Sequence, residues 1–353
     1  MSRVYIILVN WNGWRDTLES LESLFRIDYQ SFRVVVSDND SQDGSLDYIK
    51  AWADNRLNSF PPPSGKLGYL SWPPVAKPVA YAEYGREEAE RGGDADLDPP
   101  LTLIKNGRNL GFAGGNNVGL RYAIARRDFR YVWLLNNDTV VDPFALTRLM
   151  ERMELQPAVG MCGSTLRLYH APDKIQALGG GLYCRWIGLP WHYGRFAIGR
   201  KVINQPRAEV WMNYVEGASM FVSRQFIEEI GLMCEDYFLY FEETDWAIRA
   251  KGRFKIAYAS QSIVYHKVGG SIGTSSNPVR KSYLCDYFNI RNRIFFTRRF
   301  YPVALPSVYL VILGALLLRL FSGKWDRVMM ILKIFFGYND RQHKMISAYR
   351  RGP

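Results

Sequence analysis

The sequence predicts an α/β protein, a mostly parallel sheet flanked by helices, with a C-terminal helical tail that associates with membranes. Three observations predict it. Short β-rich apolar runs alternate with helix-period stretches through the first half, the order expected when helices cover a parallel sheet. Segments rich in Asn, Asp, Ser and Gly follow those runs, where a doubly wound sheet gathers ligands at the carboxyl ends of its strands. The net charge of +11 is also unevenly placed: positions 279–353 carry fourteen Lys/Arg against three Asp, whereas positions 1–278 carry thirty-one residues of each sign. With 48% hydrophobic and 22% charged residues, global disorder is excluded.

The elements come in order. Residues 4–9 form an unbroken apolar run and the first strand; Trp14, Leu18, Leu21 and Leu24 then share one helical face, and 32–37 resumes as a strand, completing a βαβ unit. Strands at 101–104 and 131–135 flank a helix at 117–126, and Asp142-Pro143 reads as a helix start, Asp as N-cap and Pro at the first helical position. Between 55 and 100 the rhythm fails among Pro- and Gly-rich breakers, which predicts an insertion ordered in part by its aromatics. The stretch 179–199, GGGLYCRWIGLPWHYGRFAIG, has no period and suits a glycine-hinged lid or a packed surface loop equally.

Cys162, Cys184, Cys234 and Cys285 are widely spaced without a CxxC pair or a nearby His, so they read as reduced core thiols. A strand beginning at residue 4 leaves no room for a secretory signal, and the expectation is a protein that is not exported.

Several motifs carry chemistry. SDNDSQDGS after the second strand places Asp38 at a strand end, where a carboxylate can accept the ring N–H of a pyrimidine, although such residues also serve as plain turn chemistry. Asn109-Leu-Gly-Phe-Ala-Gly-Gly-Asn-Asn117 is a glycine-rich lead into a helix. It lets backbone N–H groups of Gly111 and Gly115, with Asn109 and Asn116, approach phosphate or base, or else makes a tight strand-to-helix connection. LLNNDT brings Asp138 to the end of the fourth strand as a candidate Mg²⁺ or Mn²⁺ ligand. FLYFEETDW sets Glu242, Glu243 and Asp245 after an aromatic run, as a general base in a walled pocket or an acidic helix start. His266 ends another β-rich run.

In this order the motifs VNWN, SDNDSQDGS, NLGFAGGNN, LLNNDT, VEGASMFVSR, FLYFEETDWAIRAKGR and YHKVGGS resemble the family 2 glycosyltransferases of the GT-A fold, particularly the bacterial rhamnosyl- and galactofuranosyltransferase-like branch. The resemblance covers about residues 4–273. It implies a GT-A, Rossmann-like catalytic domain over 1–273 (with 55–100 as insertion) and a basic, apolar helical region over 274–353. It implies that Asn10, Asn12, Asp38, Asn109, Gly111, Gly115, Asn116, Asn136, Asn137 and Asp138 bind a uridine or thymidine diphosphate sugar, dTDP-L-rhamnose among them. Asp138 and His266 would hold Mg²⁺ or Mn²⁺. Glu243 would be the catalytic base, with Glu242 and Asp245 orienting the acceptor, tuning the base or capping the helix. Trp186, Trp191, Tyr193 and Trp246, with Phe196, would form an acceptor-side wall. The metal motif departs from the usual Asp-x-Asp by reading Asn-Asn-Asp, and Glu243 stands where Asp is frequent.

The implied reaction is transfer with inversion to a hydroxyl of a glycan or lipid-linked acceptor in cell-envelope polysaccharide synthesis. A silent nucleotide- or carbohydrate-binding scaffold is the alternative; retention of Asp138, Glu243 and His266 together argues against it. A nucleic-acid binder would interleave its basic charge with stacking aromatics along a groove, whereas here the charge sits in an apolar tail. In that tail 300–318 is uncharged, but Pro302 and Pro306 predict a break leaving too short a run to span a bilayer. Trp325, Val328, Met329, Leu332, Phe335 and Phe336 read as one apolar face, and Arg291, Arg293, Arg298 and Arg299 as charge for anionic lipid. The expectation is a cytoplasmic protein attached peripherally to the inner face of the membrane; the alternatives for those apolar faces are packing on the catalytic domain or on a second copy in a homo-oligomer, and a spanning hairpin.

Overall fold

The computed structural model describes residues 2–57, 65–195, 204–268 and 282–337. Its centre is five parallel strands: β1 (Val4–Asn10), β2 (Phe32–Asp38), β3 (Tyr81–Gly85), β4 (Leu101–Lys105) and β5 (Tyr131–Asn136), side by side as β3-β4-β2-β1-β5. β1 is buried almost throughout, which is why it reads as a continuous apolar run instead of alternating. Helices α1 (Trp14–Leu24), α2 (Ser45–Ala53), α3 (Arg86–Glu90) and α4 (Gly111–Arg126) connect these strands, α1 burying Leu18, Leu21 and Leu24 as its spacing predicts.

Beyond β5 the sheet becomes mixed, mostly antiparallel. The elements are β6 (Thr139–Val141), α5 (Ala145–Glu154), β7 (Val159–Leu168), β8 (Ala171–Leu178), β9 (Gly180–Cys184), β10 (Leu189–Trp191), α6 (Gln205–Val210), β11 (Tyr214–Val215), β12 (Ser219–Ser223), α7 (Arg224–Ile230), α8 (Glu242–Arg249) and β13 (Lys255–His266). β12 inserts between β5 and β7, β8 and β9 continue outward, β11 lies against β9, and β13 bridges β6 and β7, running parallel to β7. Strands 1, 2 and 5 thus end together, beside the β6–β13 pair.

Three sequence expectations change. The segment 55–100 is built into the fold at its end, since β3 forms the sheet edge and α3 packs after it. α4 begins at Gly111, not at Asn117, so the glycine-rich run is itself helix. α5 begins at Ala145; the Asp142 carboxylate instead accepts Phe144 N–H in the turn ahead of it.

The C-terminal region holds α9 (Tyr283–Phe300), α10 (Leu305–Phe321) and α11 (Trp325–Phe335). The boundary at 273 lies outside the described residues, but α9 belongs to the packing of the first region. Phe296 joins the main core, while Ile290 and Ile294 face α10 and α11 in a second apolar cluster with Val308, Ile312, Leu316, Val328, Met330 and Ile331. Three of the four arginines expected to seek lipid are engaged on the protein: Arg291 donates to Asp236 O, Arg293 to Asn289 Oδ1, and Arg299 pairs with Asp245. Arg298 is exposed. α10 is not broken by Pro306, which occupies its first turn where a missing N–H costs nothing. The 20-residue stretch Pro302–Phe321 has a mean hydropathy of 2.1 and is, by length and composition, long and apolar enough to cross a membrane. The apolar face expected on α11 is divided, Val328 inside and Trp325, Met329 and Phe336 outside.

Asn292 of α9 braces the loop that leads into α8. Its buried Nδ2 donates to the carbonyls of Tyr237, Leu239 and Tyr240 at 2.9, 2.7 and 3.1 Å. Asn292→Ala should destabilise the protein by about 1 to 3 kcal/mol, the penalty for leaving buried backbone groups unpaired. Chemical denaturation checks this, and an unchanged midpoint would show that the loop holds its shape without α9.

Candidate active site

At the carboxyl edge of the parallel strands Asn10 is the hub. Its Nδ2 donates to Asp38 Oδ1 at 2.7 Å, and its Oδ1 accepts from Thr17 Oγ1 and, at 3.3 Å, from Asn137 Nδ2. The ends of β1, β2 and β5 are thereby tied through one side chain. Ser41 adds its hydroxyl to Asp38 Oδ1 and its N–H to Oδ2, and Asn12 Oδ1 accepts Gln42 N–H, so the SDNDSQDGS turn is folded around Asp38. Burial raises the Asp38 pKa above the ordinary carboxylate range despite those bonds. Each oxygen keeps acceptor capacity for a further donor.

The second cluster forms where β6 pairs with β13, register placing His266 opposite Thr139. His266 Nε2 lies 3.1 Å from Asp138 Oδ1 and 3.4 Å from Asn136 Nδ2, all at the strand ends. Burial works against both charges, yet each partner prevails: the Asp138 carboxyl is held below its usual pKa and the imidazole above its own. On the ring's other side Nδ1 lies 2.9 Å from Gln176 Oε1. An Nδ1–H donated there leaves the Nε2 lone pair facing Asp138, the orientation a metal-ligating His requires. Nothing in the sequence marked Gln176, which reaches His266 from β8, 90 residues away in the chain. Asn137 turns inward to Thr17 and takes no part in this cluster.

The third cluster is the start of α8. Glu242 is buried, with Oε2 lacking a hydrogen-bond partner among the described residues; burial, and then Asp245, push its carboxyl up to about 7. Glu243 is more open, and its pKa too is raised well above the ordinary value by burial, by Glu242 and by Glu216. Asp245 is different. It is fully buried among Tyr237 OH at 3.0 Å, Arg249 Nε at 2.6 Å and Arg299 Nη1 at 3.2 Å, which makes it a clasp between α8 and α9 and removes it from the reacting groups.

Other expected site residues are spent on packing. Gly111 has φ +73, and a Cβ there would lie 2.3 Å from Phe238 O, so this glycine permits α4 to meet the aromatic loop ahead of α8. Asn109 Oδ1 accepts Gly111 N–H, Gly115 packs on Val9, and Asn116 donates to Phe112 O within α4. The expected phosphate cradle is therefore a helix–sheet contact. Trp246 is buried, donating to Gly231 O and packing edge-on to Phe226, so it lines no acceptor wall. Trp186 and Trp191 are exposed, Tyr193 stacks on Trp211, and Phe196 lies outside the described residues. Gly181 is not a hinge: a Cβ there would fall 2.6 Å from Tyr214 OH and 2.8 Å from Trp191 O, so its absence lets β10 and β11 close on β9.

The family profile for glycosyl transferase family 2 matches residues 5–65 and 86–209, more than half of the chain. The chain belongs to glycosyl transferase family 2. The chain is also similar to a hexosyltransferase of low-salt glycan biosynthesis, Agl10 of Haloferax volcanii, 27% identical over 152 residues, or 43% of this chain and 46% of that protein. The match thus spans less than half of that relative's length. Among solved structures, a Pyrobaculum calidifontis mannosyltransferase in complex with GDP-Man and Mn²⁺ superposes with TM-score 0.50 at 13% identity, over 95% of this chain and 85% of that one. GalNAc-T7 with UDP, GalNAc and Mn²⁺ gives 0.51 at 14% identity, over 83% and 51%. The likeness establishes the GT-A fold for this family 2 chain: a mostly parallel sheet flanked by helices, with an apolar C-terminal helix.

The three acids of the family 2 chain should separate by stability. Asp245→Asn removes the buried carboxylate that joins Tyr237, Arg249 and Arg299 and should cost about 1 to 3 kcal/mol. Glu243→Gln should not. A carboxyl whose folded pKa is raised contributes stability that is full below its unfolded pKa and is lost as pH rises through the raised folded value, as for Glu243. The glutamine keeps the neutral form, so as pH rises the Glu243→Gln melting temperature should come to equal or exceed wild type. Thermal melts across pH decide; a Glu243→Gln loss matching that of Asp245→Asn would make Glu243 structural.

Proposed function

We propose that this protein is an inverting glycosyltransferase that moves a sugar from a thymidine or uridine diphosphate donor to a hydroxyl of a glycan or lipid-linked acceptor. The motif order points to the rhamnosyl- and galactofuranosyltransferase-like branch. One observation carries the reading: Asp38 and the Asp138–His266 pair stand at the carboxyl ends of strands of one sheet, and Glu216 lies within electrostatic reach of both His266 and Glu243. Asp38 accepts a base N–H. Asp138 and His266, with Asn136 beside them, offer one carboxylate, one imidazole and an amide, a set that suits Mg²⁺ or Mn²⁺ while leaving positions for a diphosphate. Among the described residues no third acid, Cys or His joins them. When bound, the cation offsets charge on the departing diphosphate.

Glu243 takes the acceptor hydroxyl proton as that oxygen attacks the anomeric carbon. Its reluctance to ionise makes it a stronger base once deprotonated, at the cost of a smaller active fraction at low pH. Glu242, deeper and with an unpaired oxygen, tunes it by repulsion. The two titrate as a pair.

Glu243→Gln should lower kcat by about two to four orders of magnitude with donor binding retained. In the wild type kcat/KM should climb with pH to a midpoint above the usual glutamate range. Glu242→Gln should bring that midpoint down, because a repelling charge is gone; a profile that does not move would deny Glu242 that role. A chelator should abolish turnover and Mn²⁺ restore it, and Asp138→Ala should weaken nucleoside diphosphate binding in Mn²⁺. Full turnover in chelator would refute the metal assignment.

The tail supports peripheral attachment to the inner face of the cytoplasmic membrane. α10 is held along the protein by Val308, Ile312 and Leu316 and by Arg319, which pairs with buried Asp286 at 2.6 Å. Its other side exposes Leu310, Leu318 and Phe321, the last 84% accessible. A helix with one face on protein and one apolar face outward fits the plane of a bilayer surface. Wild type should float with anionic liposomes, and Leu318→Glu/Phe321→Glu, changes on exposed positions, should not; equal flotation would remove this surface from membrane binding.

A further inference from the structure

The motif VEGASM contains a carboxylate that the proposed mechanism leaves unused. Glu216 stands on the short connection between β11 and β12, whose Ala218 O accepts Asn136 N–H, so this connection abuts the strand end that presents Asp138. Its own N–H donates to Gly179 O. One carboxylate oxygen, Oε2, lies 2.7 Å from His192 Nε2, and that nitrogen also lies 3.0 Å from the hydroxyl of Tyr214. The other oxygen, Oε1, has no hydrogen-bond partner among the described residues. Tyr214 is buried; its carbonyl and its hydroxyl occupy the spaces where Gly180 and Gly181 lack a Cβ, so these two glycines admit Tyr214, which sets His192, which sets Glu216.

The position of Glu216 is the informative part. Its charge acts on Glu243 at one end and on His266 at the other. Burial alone would raise its carboxyl, but His192 first, then His266 and Arg195, hold it below the ordinary value, so it remains an acceptor. In a direct displacement the transferred sugar occupies the space between the departing diphosphate and the base. A carboxylate whose charge reaches both ends, anchored through Oε2 and with no partner for Oε1 among the described residues, is placed to accept hydrogen bonds from sugar hydroxyls.

We propose that Glu216 is a specificity-determining residue that reads hydroxyls of the donor sugar, with His192 and Tyr214 as its positioning residues. This rests on the glycosyltransferase function proposed for the site. A site built to accept hydroxyl hydrogens discriminates strongly against sugars that lack or invert them, because the carboxylate is then left unpaired.

The test is calorimetric titration of the full-length protein in Mn²⁺ with UDP, dTDP and GDP, and with a panel of sugars on the preferred nucleotide. In the wild type one sugar nucleotide should bind better than the bare diphosphate. In Glu216→Gln the diphosphate affinity should stay within about twofold, while the advantage of the preferred sugar falls about tenfold or more, the equivalent of ~1.4 kcal/mol. Tyr214→Phe, which removes one buried oxygen and keeps the ring, should give a smaller loss of the same kind with an unchanged melting temperature. Equal losses for diphosphate and sugar nucleotide would place Glu216 at the metal and phosphate end and overturn the proposal, as would unchanged sugar discrimination in both variants. Failure of the wild type to bind any nucleotide would overturn the glycosyltransferase reading itself, and this inference with it.

Discussion

A strained backbone at Phe238, Tyr240 and Phe241 delivers the two glutamates to the edge of the sheet, and much of the molecule is arranged to hold it there. These residues have φ of +64, +69 and +77, a region that costs a side-chain-bearing residue of order 1–3 kcal/mol each. What offsets the strain comes from far along the chain. Asn292 fills three carbonyls of the loop, Phe238 stacks on Phe288 at 5.0 Å, Phe241 packs against Phe296, and Gly111 makes room for the Phe238 carbonyl. Strain that is overdetermined in this way fixes the start of α8 and leaves Glu242 Oε2 without a hydrogen-bond partner among the described residues.

The electrostatics of the site divide along the same line. At the β6–β13 end, Asp138 and His266 favour each other's charge although both are buried; at the α8 end, Glu242 and Glu243 repel, and backbone N–H groups offset their burial only in part. Environments that push titratable groups in opposite directions fit the two roles proposed above: a carboxylate kept ionised, as a cation ligand must be, and an acid pair whose raised pKa values suit taking a proton. Asp245 shows how the third acid of one motif escapes this logic. It lies on the far side of the same helix turn, where two arginines and a tyrosine absorb its charge.

The parallel half of the sheet was legible because it is local. Strands buried on both faces read as apolar runs, and α1 announces its face by spacing. Asp38, Asp138 and His266 were legible because each ends such a run. The roles of Gly115 and Asn116 were not, since a glycine that lets a helix approach a strand and one that cradles phosphate look alike in sequence; only the position of Val9 distinguishes them. Trp246 misled for a similar reason: an aromatic beside acids fits a wall, but α8 turns it into the core. Gln176 and Asn292 were invisible because their partners lie 90 and more than 50 residues away.

α9 is the clearest case of a helix whose function hides in its composition. It buries apolar residues toward two neighbours at once, Phe296 toward the sheet and Ile290 and Ile294 toward α10, so no single stripe appears along it. Its arginines count as basic tail in the sequence, yet Arg299 braces Asp245 and Arg291 caps Asp236. One helix therefore supports the strained loop on one side and carries the exposed apolar surface of α10 on the other, joined to it by the buried Asp286–Arg319 pair. Because packed interfaces yield little, the orientation of α10 and the placement of the glutamates are geometrically linked. If α10 rests on a bilayer, the carboxyl edge of the sheet has a fixed attitude to that surface, which suits an acceptor hydroxyl presented from a lipid-linked molecule and gives the tail a part in catalysis beyond simple attachment.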